Sequence, residues 1–363
     1  MTPRLIPYTL LTAALLQGCN DNQTCIDATP NIANYQAISE HIHDPTMEKQ
    51  GSYYYLYSSS PLGAFYSSLD KVNWDYRGNV FSEIPVWLTD SIENLDHIGA
   101  PDISFYNGQY VYFYQSHKSG TCNAATGLLT NTTLDPEAPD YKWVDHGEIL
   151  RSKPLLGEII CGGYGRHYNA IDAMFYVDDD QKPWLVFGST MGDISLAGVI
   201  PQIYMGGIHL LELDPKTLKP IDPSKMITLA SRPITDISTG EFVVEAPFIQ
   251  YKNGFYYLYM SYNSCCKGPD TKYEIRVGRS KDIQGPYVDS YGRLLNEGGG
   301  TKLLDKDGEQ IGTGHNDVFT EDNQDWLVHH AYDSTNNYKP TLQLRQIEWE
   351  QGWPKVCNKW VDK

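Results

Sequence analysis

Basic residues and long apolar runs are scarce in this chain. Its 363 residues include 28 Lys and Arg against 45 Asp and Glu, which gives a net charge of −17 at pH 7. Nucleic-acid binding depends on clustered Lys and Arg that neutralise phosphates, so this balance argues against a nucleic-acid partner. Apart from the N-terminus, no stretch is apolar enough to cross a bilayer. A neutral polysaccharide meets no electrostatic penalty at such a surface, and the 27 Tyr and 8 Trp offer faces on which sugar rings stack.

Helical patterning and zinc-ligand spacing are also missing. No segment longer than about a dozen residues shows a 3.6-residue apolar period. Cys265 and Cys266 are the only close pair among the seven cysteines, and with no residue between them they fit no zinc pattern. The period-2 runs YVYFYQS (110–116), WLVFGS (184–189) and FYYLYMS (255–261) are aromatic or β-branched. We therefore predict an all-β protein.

The N-terminus matches a secretory signal. One basic residue, Arg4, precedes an apolar run that is too short for a permanent transmembrane helix and ends in Leu-Gln-Gly-Cys. The end of this run resembles a bacterial lipobox, in which Cys19 is lipidated and becomes the first mature residue; an ordinary signal peptide is the alternative. We predict a signal peptide at 1–18, a lipidated Cys19 with a polar tether at 19–35, and a catalytic domain at 36–363. The protein is expected at the outer membrane or cell surface, or else in the periplasm or the medium.

The remaining cysteines would lie in an oxidising compartment. If Cys19 carries lipid, six are left: Cys25, Cys122, Cys161, Cys265, Cys266 and Cys357. An even number permits structural disulfides, but their pairing cannot be read from the sequence.

Five similar units follow one another along the chain. Each has an opening rich in Asp, Glu, His or Pro, then a strand, a turn and an aromatic strand; the openings are His43-Asp44-Pro45, Ala100-Pro101-Asp102, Ile171-Asp172-Ala173, Glu245-Ala246-Pro247 and His315-Asn316-Asp317. The steps between units are 56, 72, 74 and 70 residues. A four-stranded blade needs about 40–50 residues, so long loops must account for the rest. This repetition predicts a five-bladed β-propeller, which as one domain escapes the limit of about 250–300 residues for a single core.

Three of the openings contain a carboxylate that we predict to be buried, namely Asp44, Asp172 and Glu245. Equivalent positions of propeller blades meet around one axis, so these residues are expected to converge. Mutual repulsion raises the pKa of at least one carboxylate in such a group. Cleavage of a glycosidic bond requires one protonated acid and one carboxylate. Each residue alone has a plainer interpretation, because Asp-Pro is a common turn and a Glu before Ala-Pro can end a strand.

Ten short strings occur along the chain in a family-specific order. They are HDP (43–45), APDI (100–103), NAID (169–172), WLVFGS (184–189), EAPF (245–248), SYNSCCKG (261–268), YEIRVGRS (273–280), GPY (285–287), GGGT (298–301) and GTGHN (312–316). Together they resemble the family 43 glycoside hydrolases, most closely the endo-1,5-α-L-arabinanase branch, over about residues 36–350.

The resemblance implies a five-bladed propeller and an inverting mechanism. Asp44 would be the general base that activates water, Glu245 the general acid, and Asp172 the residue that orients Glu245 and raises its pKa. His315 in GTGHN would face a metal, usually calcium, near the channel axis; a His hydrogen-bonded inside the channel is the alternative. The candidate sugar contacts, each of which has a packing alternative, are Trp87, Asn169 and Ser189. We expect a monomer that hydrolyses linear 1,5-arabinan.

The chain departs from this pattern in two places. Gly99 stands where the family commonly has Trp, and Thr190-Met191 stands where an aromatic pair is common. The insertion DISLAGVIPQIYM (193–205) offers a new apolar wall that would close one end of the cleft. Internal cleavage is preferred, with an exo-acting arabinofuranosidase or β-xylosidase as the alternative. A non-catalytic glycan-binding lipoprotein is disfavoured, because a binding site gains little from burying charges.

Overall fold

The computed structural model describes residues 41–95, 97–118, 121, 123–155, 160–164, 166–190, 206–233 and 241–356. The predicted signal peptide, Cys19 with its tether, and the 193–205 insertion lie outside this range. No helix in the described part of the chain is both long and apolar enough to cross a membrane.

The described strands form five antiparallel sheets, in each of which the spatial order follows the chain order. Blade 1 contains β1 (Thr46–Gln50), β2 (Tyr53–Ser58), β3 (Ala64–Ser68) and β4 (Asp75–Asn79). Blade 2 contains β5 (Gly99–Tyr106), β6 (Gln109–His117), β7 (Ala124–Asn131), β8 (Val144–Leu155), β9 (Ile160–Gly163) and β10 (Arg166–His167). A short helix, α1 (Val86–Ser91), connects blades 1 and 2.

Blade 3 contains β11 (Met174–Val177), β12 (Pro183–Phe187), β13 (Ile208–Glu212) and β14 (Ile227–Ala230). Blade 4 contains β15 (Val244–Lys252), β16 (Phe255–Tyr262), β17 (Glu274–Ser280) and β18 (Thr301–Leu304). Blade 5 contains β19 (Gln310–Glu321), β20 (Gln324–Asp333), β21 (Lys339–Glu350) and β22 (Trp353–Val356). Four blades thus have four strands each, whereas blade 2 has six.

The first strands of the blades form the inner ring. Strand β1 contacts β5 and β19, β11 contacts β5 and β15, and β15 contacts β19, so the ring closes on itself. This arrangement confirms the predicted all-β, five-bladed propeller.

The period-2 aromatic strands supply the packing between blades. In β16, Tyr257 and Tyr259 face blade 5, whereas Leu258 and Met260 face blade 3. Because successive side chains of a strand point to opposite faces, one strand serves two interfaces. Each of five buried apolar clusters lies between two neighbouring blades. The protein therefore has five small cores around a channel instead of one large core.

Hydrogen bonds from side chains and from the backbone join the two ends of the ring. Asp317 in blade 5 accepts hydrogen bonds from the backbone N–H of Met47 (2.7 Å) and the hydroxyl of Thr46 (3.1 Å) in blade 1. The N–H of Ile42 donates to the carbonyl of Pro340 (3.1 Å). Blades 1 and 5 also share an apolar cluster. Closure thus depends on contacts between separate sheets.

Candidate active site

The start of each inner strand has an unusual backbone conformation. One non-glycine residue in each opening has a positive φ: Asp44 (51°), Ala100 (44°), Asp172 (54°), Ala246 (53°) and His315 (46°). Such values are uncommon outside glycine and require support from the surroundings. The N–H groups of these five residues donate, in the same order, to His330 Nδ1, Ser59 Oγ, Gln115 Oε1, Asp172 Oδ2 and Ser261 Oγ. Each bond reaches the preceding blade, so one repeated device brings the five openings together at one end of the channel.

Asp44 is buried among imidazoles. Its Oδ1 lies 2.8 Å from His43 Nδ1 and 3.2 Å from His315 Nδ1, and its Oδ2 accepts a hydrogen bond from Ser59 (2.6 Å). Burial alone would raise the pKa of Asp44, but His315, His43 and His330 outweigh it and hold this pKa well below its ordinary value. Asp44 is therefore ionised at neutral pH, as a general base must be.

Glu245 has the opposite environment. Burial raises the pKa of its carboxyl group, opposed by hydrogen bonds from Ser189 to Oε2 (2.7 Å) and from Tyr273 to Oε1 (2.9 Å). The negative charge of Asp44 also raises the pKa of Glu245. A buried carboxyl group with a raised pKa can stay protonated near neutral pH and act as a general acid.

The pKa of Asp172 is affected by both Asp44 and Glu245. Burial and the charges of Glu245 and Asp44 raise its pKa well above the ordinary value. Its Oδ2 accepts the N–H of Ala246 (3.1 Å), the residue after Glu245. Asp172 thus fixes the backbone that carries Glu245.

A series of contacts connects Asp44 with Glu245. The ring of His330, whose Nδ1 accepts the N–H of Asp44, stacks on Tyr273 with centroids 5.8 Å apart. The hydroxyl of Tyr273 then donates to Glu245. The structure therefore brings Asp44, Asp172 and Glu245 together, although Glu245 is one residue before the positive-φ position that Asp44 and Asp172 occupy.

Two further openings also contain buried carboxyl groups, so the expectation of three was too low. Asp102 and Asp317 are only 5% and 6% exposed. Both come two residues after the positive-φ position, and each accepts a backbone N–H from the inner strand of another blade: Asp102 from Phe175 (2.9 Å) and Asp317 from Met47 (2.7 Å). Burial raises the pKa of Asp102 well above its usual value and that of Asp317 to about 7. These groups tie blades together.

The predicted sugar contacts lie in different surroundings. Ser189 donates its hydroxyl to Glu245, and Asn169 is buried and accepts a hydrogen bond from Ser152 (3.3 Å). Trp87 lies on α1, where its indole N–H contacts Tyr114 and Asp145. Ser189 is thus next to Glu245, whereas Trp87 packs between blades 1 and 2.

His315 points its Nδ1 at Asp44, so only Nε2 is left for a metal. The groups beside it are imidazoles and one carboxylate, whereas calcium takes six to eight oxygen ligands. A calcium ion at His315 would depend on water for most of its ligands. Among the described residues, the groups with ligand atoms close enough for one ion are His43, Asp44 and His330, and His43 with Cys265 and Cys266.

Several residues of the site were not singled out from the sequence. They are His43, Ser59, Gln115, Tyr273, His330 and Tyr332. His43 and Tyr273 stand inside the strings HDP and YEIRVGRS, so the strings held a signal for them. Ser59 follows the second strand of blade 1 and His330 lies within the second strand of blade 5, where no local pattern distinguishes a site residue from a packing residue.

Gly99 lies beside Ser59, whose hydroxyl donates to Asp44. A Cβ atom at this position would come 2.8 Å from both Ser59 Oγ and His97 Nε2. His97 thus occupies space beside the position where the family commonly has Trp. Thr190 forms hydrogen bonds with the backbone of residues 242 and 244, so the segment after Ser189 is attached to blade 4.

A carboxylate of lowered pKa near a carboxyl group of raised pKa, at one end of a propeller channel, is the arrangement that acid–base hydrolysis of a glycosidic bond requires. The model of "Glycosyl hydrolases family 43" matches residues 37–354, and the chain belongs to this family. It is 35% identical to an extracellular exo-α-(1→5)-L-arabinofuranosidase of Cellvibrio japonicus, with 88% of each chain covered. It is 34% identical to extracellular endo-α-(1→5)-L-arabinanase 1 of Bacillus subtilis, covering 90% of this chain and 91% of that one. A solved Cellvibrio cellulosa α-L-arabinanase with arabinohexaose superposes with a TM-score of 0.77 at 34% identity, covering 89% and 97% of the two chains.

Proposed function

We propose that this protein is an inverting hydrolase of α-1,5-linked L-arabinofuranosyl bonds in arabinan. The observation on which this depends is the opposite tuning of two neighbouring carboxyl groups, with the pKa of Asp44 lowered and that of Glu245 raised. Pairs of groups whose environments push their pKa values apart are typical of acid–base catalysts. Relatives named for α-1,5-arabinan support the substrate.

In the proposed reaction, protonated Glu245 donates its proton to the oxygen of the leaving sugar. Asp44 removes a proton from a water molecule that attacks the anomeric carbon from the opposite face. The transition state resembles an oxocarbenium ion, and a single displacement inverts the anomeric configuration. Asp172 positions Glu245 through the N–H of Ala246. Proton NMR of the first product released should show the β-anomer.

Substitution at each carboxyl group separates the two roles. Glu245→Gln and Asp44→Asn are each expected to slow arabinan cleavage by roughly 10²–10⁴-fold. An aryl arabinofuranoside with an activated leaving group needs no proton donor, so Glu245→Gln should cleave it far better than Asp44→Asn does. Exposed Glu83 provides the control, since Glu83→Gln should behave as the wild type. Equal loss on both substrates for both variants would contradict the assignment.

The mode of attack is proposed as internal cleavage. The similarity to an exo-acting Cellvibrio relative favours release from a chain end as the second candidate. Chromatography of products over time distinguishes them, because a ladder of oligomers means endo attack and a single small product means exo attack. Binding of arabinan without any release of reducing ends would instead support a glycan receptor.

Calcium and a lipid anchor belong to the same proposal. Calcium would be held by His315 Nε2 and water. Isothermal titration of calcium into the wild type and into His315→Ala tests this site.

Extracellular relatives support export. Incorporation of labelled palmitate that Cys19→Ala abolishes would establish the anchor, and light scattering would test the expected monomer.

A further inference from the structure

A disulfide between adjacent cysteines lies beside the proposed general base. Cys265 and Cys266 are bonded to each other in the loop between β16 and β17 of blade 4. Cys266 is exposed, and its Sγ lies 3.7 Å from His43 Nε2 and 3.4 Å from the hydroxyl oxygen of Tyr332. His43 precedes blade 1 and Tyr332 belongs to blade 5. Three blades therefore meet at this disulfide.

Hydrogen bonds run from the disulfide loop to Asp44. The N–H of Cys266 donates to the Tyr332 hydroxyl oxygen (3.3 Å), and that hydroxyl lies 2.7 Å from His43 Nε2. The other nitrogen of His43, Nδ1, lies 2.8 Å from Asp44 Oδ1. Each link is within hydrogen-bonding distance.

A neutral His43 between Asp44 and Tyr332 requires one order of donors in this series. A carboxylate only accepts, so Nδ1 of His43 must carry the proton that faces Asp44. In the neutral imidazole with this tautomer, Nε2 is an acceptor and the Tyr332 hydroxyl donates to it. Because the Cys266 N–H occupies the Tyr332 oxygen as a donor, the hydroxyl hydrogen is free to point at His43. The position of the Cys266 backbone thus supports both the tautomer and the orientation of His43.

The disulfide ring holds that backbone in an unfavourable conformation. Cys266 has φ +64°, in the left-handed region that non-glycine residues rarely adopt. Covalent closure of two adjacent residues removes most alternatives to this conformation. An open dithiol can leave the left-handed region, and the N–H would then turn away from Tyr332.

We propose that the Cys265–Cys266 disulfide is a positioning element for Asp44, acting through Tyr332 and His43. This inference rests on the proposed role of Asp44 as the general base. The disulfide does not touch the reacting atoms in this proposal. It holds the imidazole that orients the carboxylate, so its loss should affect turnover more than substrate affinity.

The test compares three variants on arabinan: Cys265→Ala/Cys266→Ala, Tyr332→Phe, and the combination of both. A misplaced general base lowers kcat. We therefore expect kcat to fall roughly tenfold in the cysteine variant and in Tyr332→Phe, with KM changed less than about twofold. Since the groups act in one series, the combination should also fall roughly tenfold instead of a hundredfold. Tyr287→Phe, which removes a buried hydroxyl bonded to Ile283 in blade 4, is the matched control and should keep its kcat.

Chemical reduction provides a second measurement on the intact enzyme. A water-soluble phosphine gives the S–S bond two electrons, water supplies two protons to form two thiols, and the phosphine becomes its oxide by taking the oxygen. Wild-type kcat should fall by the same roughly tenfold factor and recover on reoxidation. The Cys265→Ala/Cys266→Ala variant keeps the other cysteines, so any effect that persists in it belongs to them.

Three results would overturn the inference. A raised KM with unchanged kcat would make the disulfide a sugar contact, and a lower melting temperature with unchanged kinetics would make it only a loop staple. Additive losses in the combined variant would mean that the disulfide does not act through Tyr332.

Asp44→Asn is assayed alongside: if Asp44→Asn is inactive and the cysteine variant is normal, the positioning role fails while the proposed function stands. If Asp44→Asn is active, the proposed function itself fails.

Discussion

Removal of the Ser189 hydroxyl should extend activity to higher pH. Ser189 donates to Oε2 of Glu245 at 2.7 Å, and this bond lowers the pKa of a carboxyl group that burial raises. A hydrogen bond to a charged group is worth about 1.5–3 kcal/mol, and 1.36 kcal/mol corresponds to about one pH unit. Tyr273 still donates to the other oxygen in Ser189→Ala. We therefore expect the midpoint of the alkaline limb to move up by about one pH unit.

The assay is kcat/KM on arabinan across pH 4–10, since this ratio reports the pKa of the free enzyme. One pH unit above the wild-type midpoint, the wild type retains about a tenth of its maximum and Ser189→Ala about half. The matched control is Ser58→Ala, which removes a buried hydroxyl that has no partner among the described residues. Its alkaline limb should not move.

Two outcomes would refute this reasoning. An unchanged alkaline limb in Ser189→Ala would mean that Glu245 is not the group whose deprotonation ends activity. A limb that moves to lower pH would mean that the hydroxyl stabilises the protonated carboxyl group.

Three further predictions concern other parts of the site. Among the groups that lower the pKa of Asp44, His315 has the largest effect. The wild type should therefore lose little activity down to about pH 4. His315→Ala should move the acid limb of kcat/KM to higher pH. Burial raises the pKa of Asp317 to about 7, above its unfolded value, so its stabilising contribution is present below about pH 4 and is lost as pH rises through 7. Asp317→Asn should remove about 2.5 kcal/mol of this pH dependence between pH 5 and 8, measured by urea unfolding at the two pH values; an equal change in the free energy of unfolding in both proteins would contradict it. Gly99→Ala puts a Cβ atom 2.8 Å from Ser59 Oγ, which donates to Asp44. Because Ser59 must then move, kcat should fall several-fold. An unchanged kcat in Gly99→Ala would show that Ser59 is not needed.

The fold and the positions of the three converging carboxyl groups could be predicted because both have a local signature. Alternation in strands such as FYYLYMS follows from the pleat, and five repeated openings indicate five blades. Asp44, Asp172 and Glu245 stand at the openings, so the same repeat that predicts the fold also predicts their convergence. The extra strands of blade 2 have no such repeat, so no local pattern predicted them.

The partners of these carboxyl groups could not be found in the same way. His330 reaches Asp44 from blade 5, whereas Ser59 reaches Asp44 and Tyr273 reaches Glu245 from beside later strands of the same blade. For Tyr273 the string YEIRVGRS was the only signal. Nothing near His330 or Ser59 in sequence separates them from packing residues. The same holds for Asp102 and Asp317, whose burial follows from contacts made far along the chain.

By itself, the amino-acid sequence determined the strand pattern, the number of blades and which residues begin each inner strand, because these depend on local periodicity and backbone preference. Only the tertiary structure decided which carboxyl group is ionised. Asp44 and Glu245 differ in pKa because one is surrounded by imidazoles and the other is buried with two hydroxyl donors. His330, His315 and Ser189 come from other blades, and burial and Coulomb interactions depend on distances that exist only after the ring has closed.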